Sequence, residues 1–203
     1  RRRSTIYQHH HHSAVHDVAN FSIMPEAGCR RSSACGNDNA LVEEQVGNGK
    51  IRIRKKYPHN DWIRDINFFE MLADNCFPPI SFLFEREAYE KVGPFNEELP
   101  VLGDWEFNVR FLRQFDIGVI PQTRANSHHR RNDRRSAYGN SVHAQRDRLK
   151  FYDNQLRNQW LREDFDAGRY GLGTAAGLAR SQWKIRKLLK KSQRSIWSRL
   201  FNL

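Results

Sequence analysis

Hydrophobic and polar positions along the chain fall into short blocks whose period changes. In 41–56 (LVEEQVGNGKIRIRKK), two runs flank Gly47-Asn48-Gly49, and Ile51 and Ile53 alternate with basic neighbours. Alternation around a glycine turn predicts a hairpin of two short strands. In 65–74, Ile66, Phe69 and Leu72 recur every third residue, which predicts a short amphipathic helix with Asp65 as its N-cap. Phe77-Pro78-Pro79 breaks the chain, and the apolar run 80–84 reads as a buried strand. A brief helix over 85–92 ends at Gly93-Pro94, because glycine accepts a left-handed conformation and proline cannot continue the helix.

The next block, 104–115, carries Trp105, Val109 and Leu112 at helical spacing with Phe107, Phe111 and Phe115 beside them, and Asp104 stands at the N-cap position. Residues 116–121 predict a short strand closed by Pro121. In 137–162, Val142, Leu149, Tyr152, Leu156 and Trp160 make one helical stripe. Gly168, Gly171, Gly173 and Gly177 punctuate the approach to a last helix. Strands alternating with helices predict an α/β layer arrangement over 41–136, with a helical extension over 137–179. That extension is too charged to form a second core and is expected to wrap the first domain.

Residues 1–40 show neither helical nor strand periodicity. They hold Arg1-Arg2-Arg3, the run His9 to His12, and a Gly/Ser/Cys/Asn stretch, and are expected to be a disordered or aberrant segment. Four adjacent histidines can bind a transition metal, but the run reads as a tag-like end.

The whole chain of 203 residues has a formal charge of +11. Residues 1–36 carry five Arg against two acids, and 180–203 carry eight Lys or Arg and no acid. The middle is therefore neutral, whereas a basic nucleic-acid fold carries its charge on the folded domain. The three cysteines, Cys29, Cys35 and Cys76, make neither a disulfide framework nor a zinc spacing. A reducing, cytoplasmic setting follows as the default. The start has no apolar leader segment, and no run of eighteen apolar residues occurs.

The densest signal lies in 75–130. A buried strand at Phe82 to Phe84 leads to a short helix over 88–92, then to Val92-Gly93-Pro94-Phe95-Asn96-Glu97-Glu98-Leu99, then to Gly103-Asp104-Trp105-Glu106-Phe107-Asn108-Val109-Arg110. Asp116-Ile-Gly-Val-Ile-Pro121 and Ala125-Asn126-Ser127-His128-His129-Arg130 follow in order. This set resembles the C-terminal, acceptor-side half of the family 2 glycosyltransferases, enzymes with a GT-A (nucleotide-diphospho-sugar transferase) fold. The resemblance extends more weakly from about 41 to about 165. It implies a partial GT-A-like domain and an inverting transfer of a sugar from a nucleotide-sugar donor to a glycan or lipid-linked acceptor.

Such a transfer needs a base for the attacking hydroxyl and neutralisation of the departing diphosphate. By resemblance Asp104 is the base, and Gly103 and Trp105 bind the acceptor, the indole offering an apolar face to a sugar ring. His128, His129 and Arg130, on an expected loop, would contact the diphosphate. The plain alternatives stand beside these: Asp104 as a cap only, Trp105 as core, and 124–135 as a solvated basic loop. Arg110 is expected to pair with an acid rather than react.

The resemblance also implies a divalent metal, Mg²⁺ or Mn²⁺, held by an Asp-x-Asp motif in a preceding nucleotide-binding half. That motif is absent from this chain, so the chain is expected to be incomplete, with impaired activity and residues 1 to about 38 foreign or out of frame.

The tail, 180–203, is a separate feature. Ile185, Leu188, Leu189, Ile196, Leu200 and Leu203 form an apolar stripe among Lys and Arg. This is the pattern of a basic amphipathic helix lying on an anionic membrane surface, which would put the protein on the inner face of the cell membrane. A helix docked on the protein is the alternative. A second function class, a non-catalytic basic module binding anionic membrane or nucleic acid, lacks aromatics on its one basic strand (51–56), which disfavours nucleic acid.

Overall fold

A computed structural model describes residues 34–47, 50–61, 63–130 and 146–201. The chain folds as an α/β domain around a mixed four-stranded sheet. Its central strand, β1 (Ala34–Gly47), has β4 (Ile117–Arg130) parallel along one edge. The other edge is shared by two antiparallel partners. β2 (Lys50–Pro58) pairs from Ala40↔Pro58 to Gly47↔Lys50, and β3 (Phe82–Phe84) pairs over Ala34↔Phe84 to Gly36↔Phe82.

A parallel pair needs a crossover. Here it holds α1 (Phe68–Ala73), a 3₁₀ turn (Pro79–Ser81), β3, α2 (Arg86–Val92) and α3 (Gly103–Leu112). Two long helices follow, α4 (Arg146–Asp166) and α5 (Leu172–Phe201).

The first strand starts at Ala34, ahead of the expected 41, and its Ala34, Cys35 and Gly36 are paired on both edges. The hairpin forms where expected, with Gly47↔Lys50 as its last pair; Asn48 and Gly49 lie outside the described residues, as do 1–33 with the histidine run, and Val142. α1 is shorter than the periodicity implied. Its cap is Asn67, whose Oδ1 accepts from Glu70 N at 2.8 Å, not Asp65. Met71 and Leu72 are buried, while Phe69 is half exposed.

β4 departs furthest from expectation. The strand does not close at Pro121. Two register shifts opposite Asn37–Asn39 let Pro121 and Gln122 bulge out of the ladder, and pairing resumes at Thr123 and Ala125. A proline lacking its N–H is tolerated in a sheet at such a bulge.

The core is aromatic. Phe82 packs edge-on against Phe111 (5.3 Å between centroids), Phe84 meets Phe107 (5.4 Å), and Phe95 stacks on Phe107 (4.1 Å). In α3, every residue from Trp105 to Val109 is buried, so the helix is enclosed rather than amphipathic. Arg110 pairs with Glu106 as expected, Nε to Oε1 at 2.6 Å, and its remaining donors reach Val92 O and Pro94 O, each at 2.7 Å. The guanidinium thereby fastens the turn at Gly93, which adopts φ 87°.

Leu156 and Trp160 of α4 and Ala176 and Ala179 of α5 join the same core, so the extension wraps the sheet domain. A division at 179/180 is not a structural boundary, because α5 is continuous across it.

Candidate functional site

Asp104 lies in the first turn of α3. The cap position belongs to Leu102, at φ 67°, the one non-glycine residue with a positive φ among those described. A branched side chain in that region costs about 1–2 kcal/mol, and such residues gather at functional sites. The strain delivers Gly103 and Asp104 at the mouth of a buried helix. Asp104 is partly exposed, and its Oδ2 accepts from Asn75 Nδ2 at 2.8 Å. Asn75 Oδ1 accepts from Asn108 Nδ2 at 3.1 Å. One amide thus holds the carboxylate, and a second, from Asn108 one helical turn past Asp104, holds the first; the α3 N-terminus favours the carboxylate's charge.

Trp105 corrects an expectation. Its side chain is 2 % exposed, its Nε1 donates to Met71 O at 2.6 Å, and Trp160 and the Arg157 guanidinium cover its ring (5.5 and 4.7 Å). No ring face is open to a sugar; the residue anchors α3 to α1. Trp105 belongs to the core, as do the four residues of α3 that follow it, Glu106 to Val109.

His128, His129 and Arg130 stand on β4, not on a loop. Successive residues of a strand face opposite sides of the sheet, so the two histidines cannot serve one site together. His128 Nδ1 lies 2.6 Å from Glu44 Oε1, a carboxylate buried on β1, while His129 Nε2 lies 3.3 Å from Ser127 Oγ. The Arg130 side chain is outside the described residues.

No protein family, no curated protein and no solved structure matches this chain.

Asn75 was missed by sequence reasoning, since an asparagine between helices gives no periodic signal. So was the link behind it. Arg157 Nε donates to Asp153 Oδ1 at 2.8 Å, and Arg180 bridges Asp153 Oδ2 (3.2 Å) and Ala73 O (2.8 Å). This mesh fixes the end of α1, and with it Asp74 and Asn75, against α4 and α5. Burial lowers the Arg157 guanidinium from its ordinary value, against the opposing pull of Asp153. Cys76, beside Asn75, is the free thiol among the described residues, pushed up to about 12 by burial and then by Glu70 and Asp74. Cys35 is disulfide-bonded, where the cysteine spacing predicted no disulfide framework.

Asn39, on β1, is fully buried with neither side-chain atom paired, although its backbone N–H donates to Asn60 Oδ1 at 2.7 Å. Among the described residues no group of three or more His, Cys, Asp or Glu side chains could hold a metal ion.

Proposed function

We propose that this chain is the acceptor-side part of a glycosyltransferase with a GT-A-like fold, and that Asp104 is its base. The observation that carries the reading is the Asp104 carboxylate, presented by the strained Leu102–Gly103 turn and aimed by Asn75. Asp104 takes the proton of the acceptor hydroxyl as its oxygen attacks the anomeric carbon; the bond to the nucleoside diphosphate breaks and the configuration inverts. A carboxylate fixed by an amide donor needs no reorganisation to do this, which is where such catalysis gains.

A Cβ on Gly103 would meet the Asn96 carbonyl at 3.7 Å, an ordinary contact, so packing does not require the glycine and its bareness leaves room for an acceptor. His128 or His129, on opposite sheet faces, supplies a donor to the departing diphosphate, one and not both. No step is assigned to a divalent cation.

The test is release of nucleoside diphosphate from a panel of nucleotide sugars, with and without glycan or lipid-linked acceptors, by the parent chain and Asp104→Asn. The reading expects acceptor-stimulated release that falls about 10²–10⁴-fold in the variant. Equal release by both proteins would remove Asp104 from this role, and none by the parent would remove the transferase reading.

A further inference from the structure

The last helix has two unlike sides. Leu172, Ala176, Ala179 and Trp183 of α5 pack on the core, and Arg180 ties this side to Ala73 and Asp153. On the side turned away, Leu178, Ile185, Leu188 and Leu189 are 63, 57, 67 and 59 % exposed. At about 100° per residue, Leu178, Ile185 and Leu189 fall within roughly 40° of one another, with Leu188 at their border. Isolated exposed aliphatic residues are common on soluble proteins, but four on one side of a helix are not.

The surroundings of this stripe are cationic. Lys184, Arg186, Lys187, Lys190 and Lys191 fall within two turns, and no acid occurs in 180–203. Lys184 and Lys191 border the stripe beside Leu188, while Arg186, 3.7 Å from Glu70, borders it beside Leu189. Lys187 sits over the Trp183 ring at 3.7 Å. Trp183, Lys184, Lys187, Leu188 and Lys191 line a shallow groove of about 550 Å³, apolar at its base with ammonium groups at its edge.

Charge complementarity selects the occupant. A second copy would bring one acid-free basic helix against another, and the like charges would oppose the contact. A nucleic acid would use the cations but leave the aliphatic stripe in water. A surface that is anionic at its boundary and hydrocarbon beneath satisfies both at once. No described helix is long and apolar enough to cross a membrane, so α5 would lie along the surface.

We propose that α5 lies flat on an anionic lipid bilayer through residues 178–191. Leu178, Ile185, Leu188 and Leu189 enter the acyl boundary, and Lys184, Arg186 and Lys191 meet lipid phosphates. The proposal does not depend on the transferase reading.

Vesicle co-sedimentation of the full chain tests it, with phosphatidylcholine alone and with phosphatidylcholine containing phosphatidylglycerol. The chain pellets with the anionic vesicles and is released as salt is raised. The triple variant Ile185→Ser, Leu188→Ser, Leu189→Ser lowers the partition coefficient at least about tenfold. Lys184→Gln with Lys191→Gln lowers it about fivefold per cation removed. All five positions are exposed, and far-ultraviolet circular dichroism verifies that the helix is retained.

Equal pelleting with neutral vesicles overturns the proposal, as does a triple-serine variant that binds like the parent. A dimer in sedimentation velocity that the serine variant abolishes, without vesicle binding by the parent, assigns the stripe to a second copy instead. A gel shift with RNA or DNA, unaccompanied by vesicle binding, assigns the cations to nucleic acid.

Discussion

The Nδ2 of Asn75 donates to Asp104 Oδ2 at 2.8 Å, between residues 29 positions apart in sequence. Because Asn75 Oδ1 accepts from Asn108 Nδ2, the amide has one permitted orientation; turned over, it would set a carbonyl against a carboxylate. The carboxylate is thus aimed by a residue that is itself locked in place.

Asn75→Ala separates positioning from fold. Asn108 is 2 % exposed, and losing the acceptor for its amide costs about 1–3 kcal/mol of stability. Asp104→Asn keeps an acceptor oxygen toward Asn75, so its stability stays within about 0.5 kcal/mol of the parent while transfer activity collapses. Chemical denaturation of both variants checks this. Equal destabilisation by the two would make Asp104 a structural member of the cluster and no more.

Much of the order of elements was legible. The turn at Gly47–Lys50, the stop at Gly93-Pro94 and the Leu156/Trp160 stripe each rest on local physics that a sequence displays. What escaped was non-local. Pro121 marks a strand end by its own chemistry, yet a bulge against Asn37–Asn39 carries β4 through it and moves His128 from a loop to the sheet. Trp105 beside an acidic residue has the composition of a sugar platform, and only the packing of α1 and α4 shows that its ring is enclosed. For the same reason Asn75 was invisible: its importance lies entirely in what two distant residues do to it.

The crossing of α4 and α5 depends on a glycine. A Cβ on Gly173 would collide with the backbone of Trp160 and Leu161, which cannot swing aside as a side chain can. Gly173→Ala therefore destabilises by about 1–3 kcal/mol, through overpacking. Gly177, one turn later on the open side of the helix, has nothing within 4 Å, and Gly177→Ala stabilises by up to about 1 kcal/mol through helix propensity. Opposite shifts in melting temperature are the expected pair. A neutral Gly173→Ala would mean that the two helices cross less closely.

Cys76 is expected to be a poor nucleophile. With its thiol pushed up to about 12, almost no thiolate exists near pH 8, and the thiolate is the reacting species. Iodoacetamide treatment followed by peptide mapping should find Cys76 unmodified in the native protein and modified in denaturant. Rapid native labelling would show that its pocket opens readily.

Asp164 makes stability depend on acid in a calculable direction. Its Oδ2 accepts from Thr174 N at 2.7 Å, Thr174 Oγ1 at 2.8 Å and Gly171 N at 3.0 Å, serving from α4 as a cap for the start of α5. The Thr174 backbone bond, opposed by desolvation and helped by the hydroxyl, holds the carboxyl below its ordinary value. The unfolded chain binds this proton more readily, at about pH 3.9. The stabilisation is thus fully present above that pH and is lost as the pH falls through the lower, folded value. Asp164→Asn has no proton to gain. Its melting temperature should trail the parent's by a constant margin from pH 7 to about 5, and the margin should narrow below about 4. A margin that widens in acid would reverse the sign and rule out the cap as an ionised one.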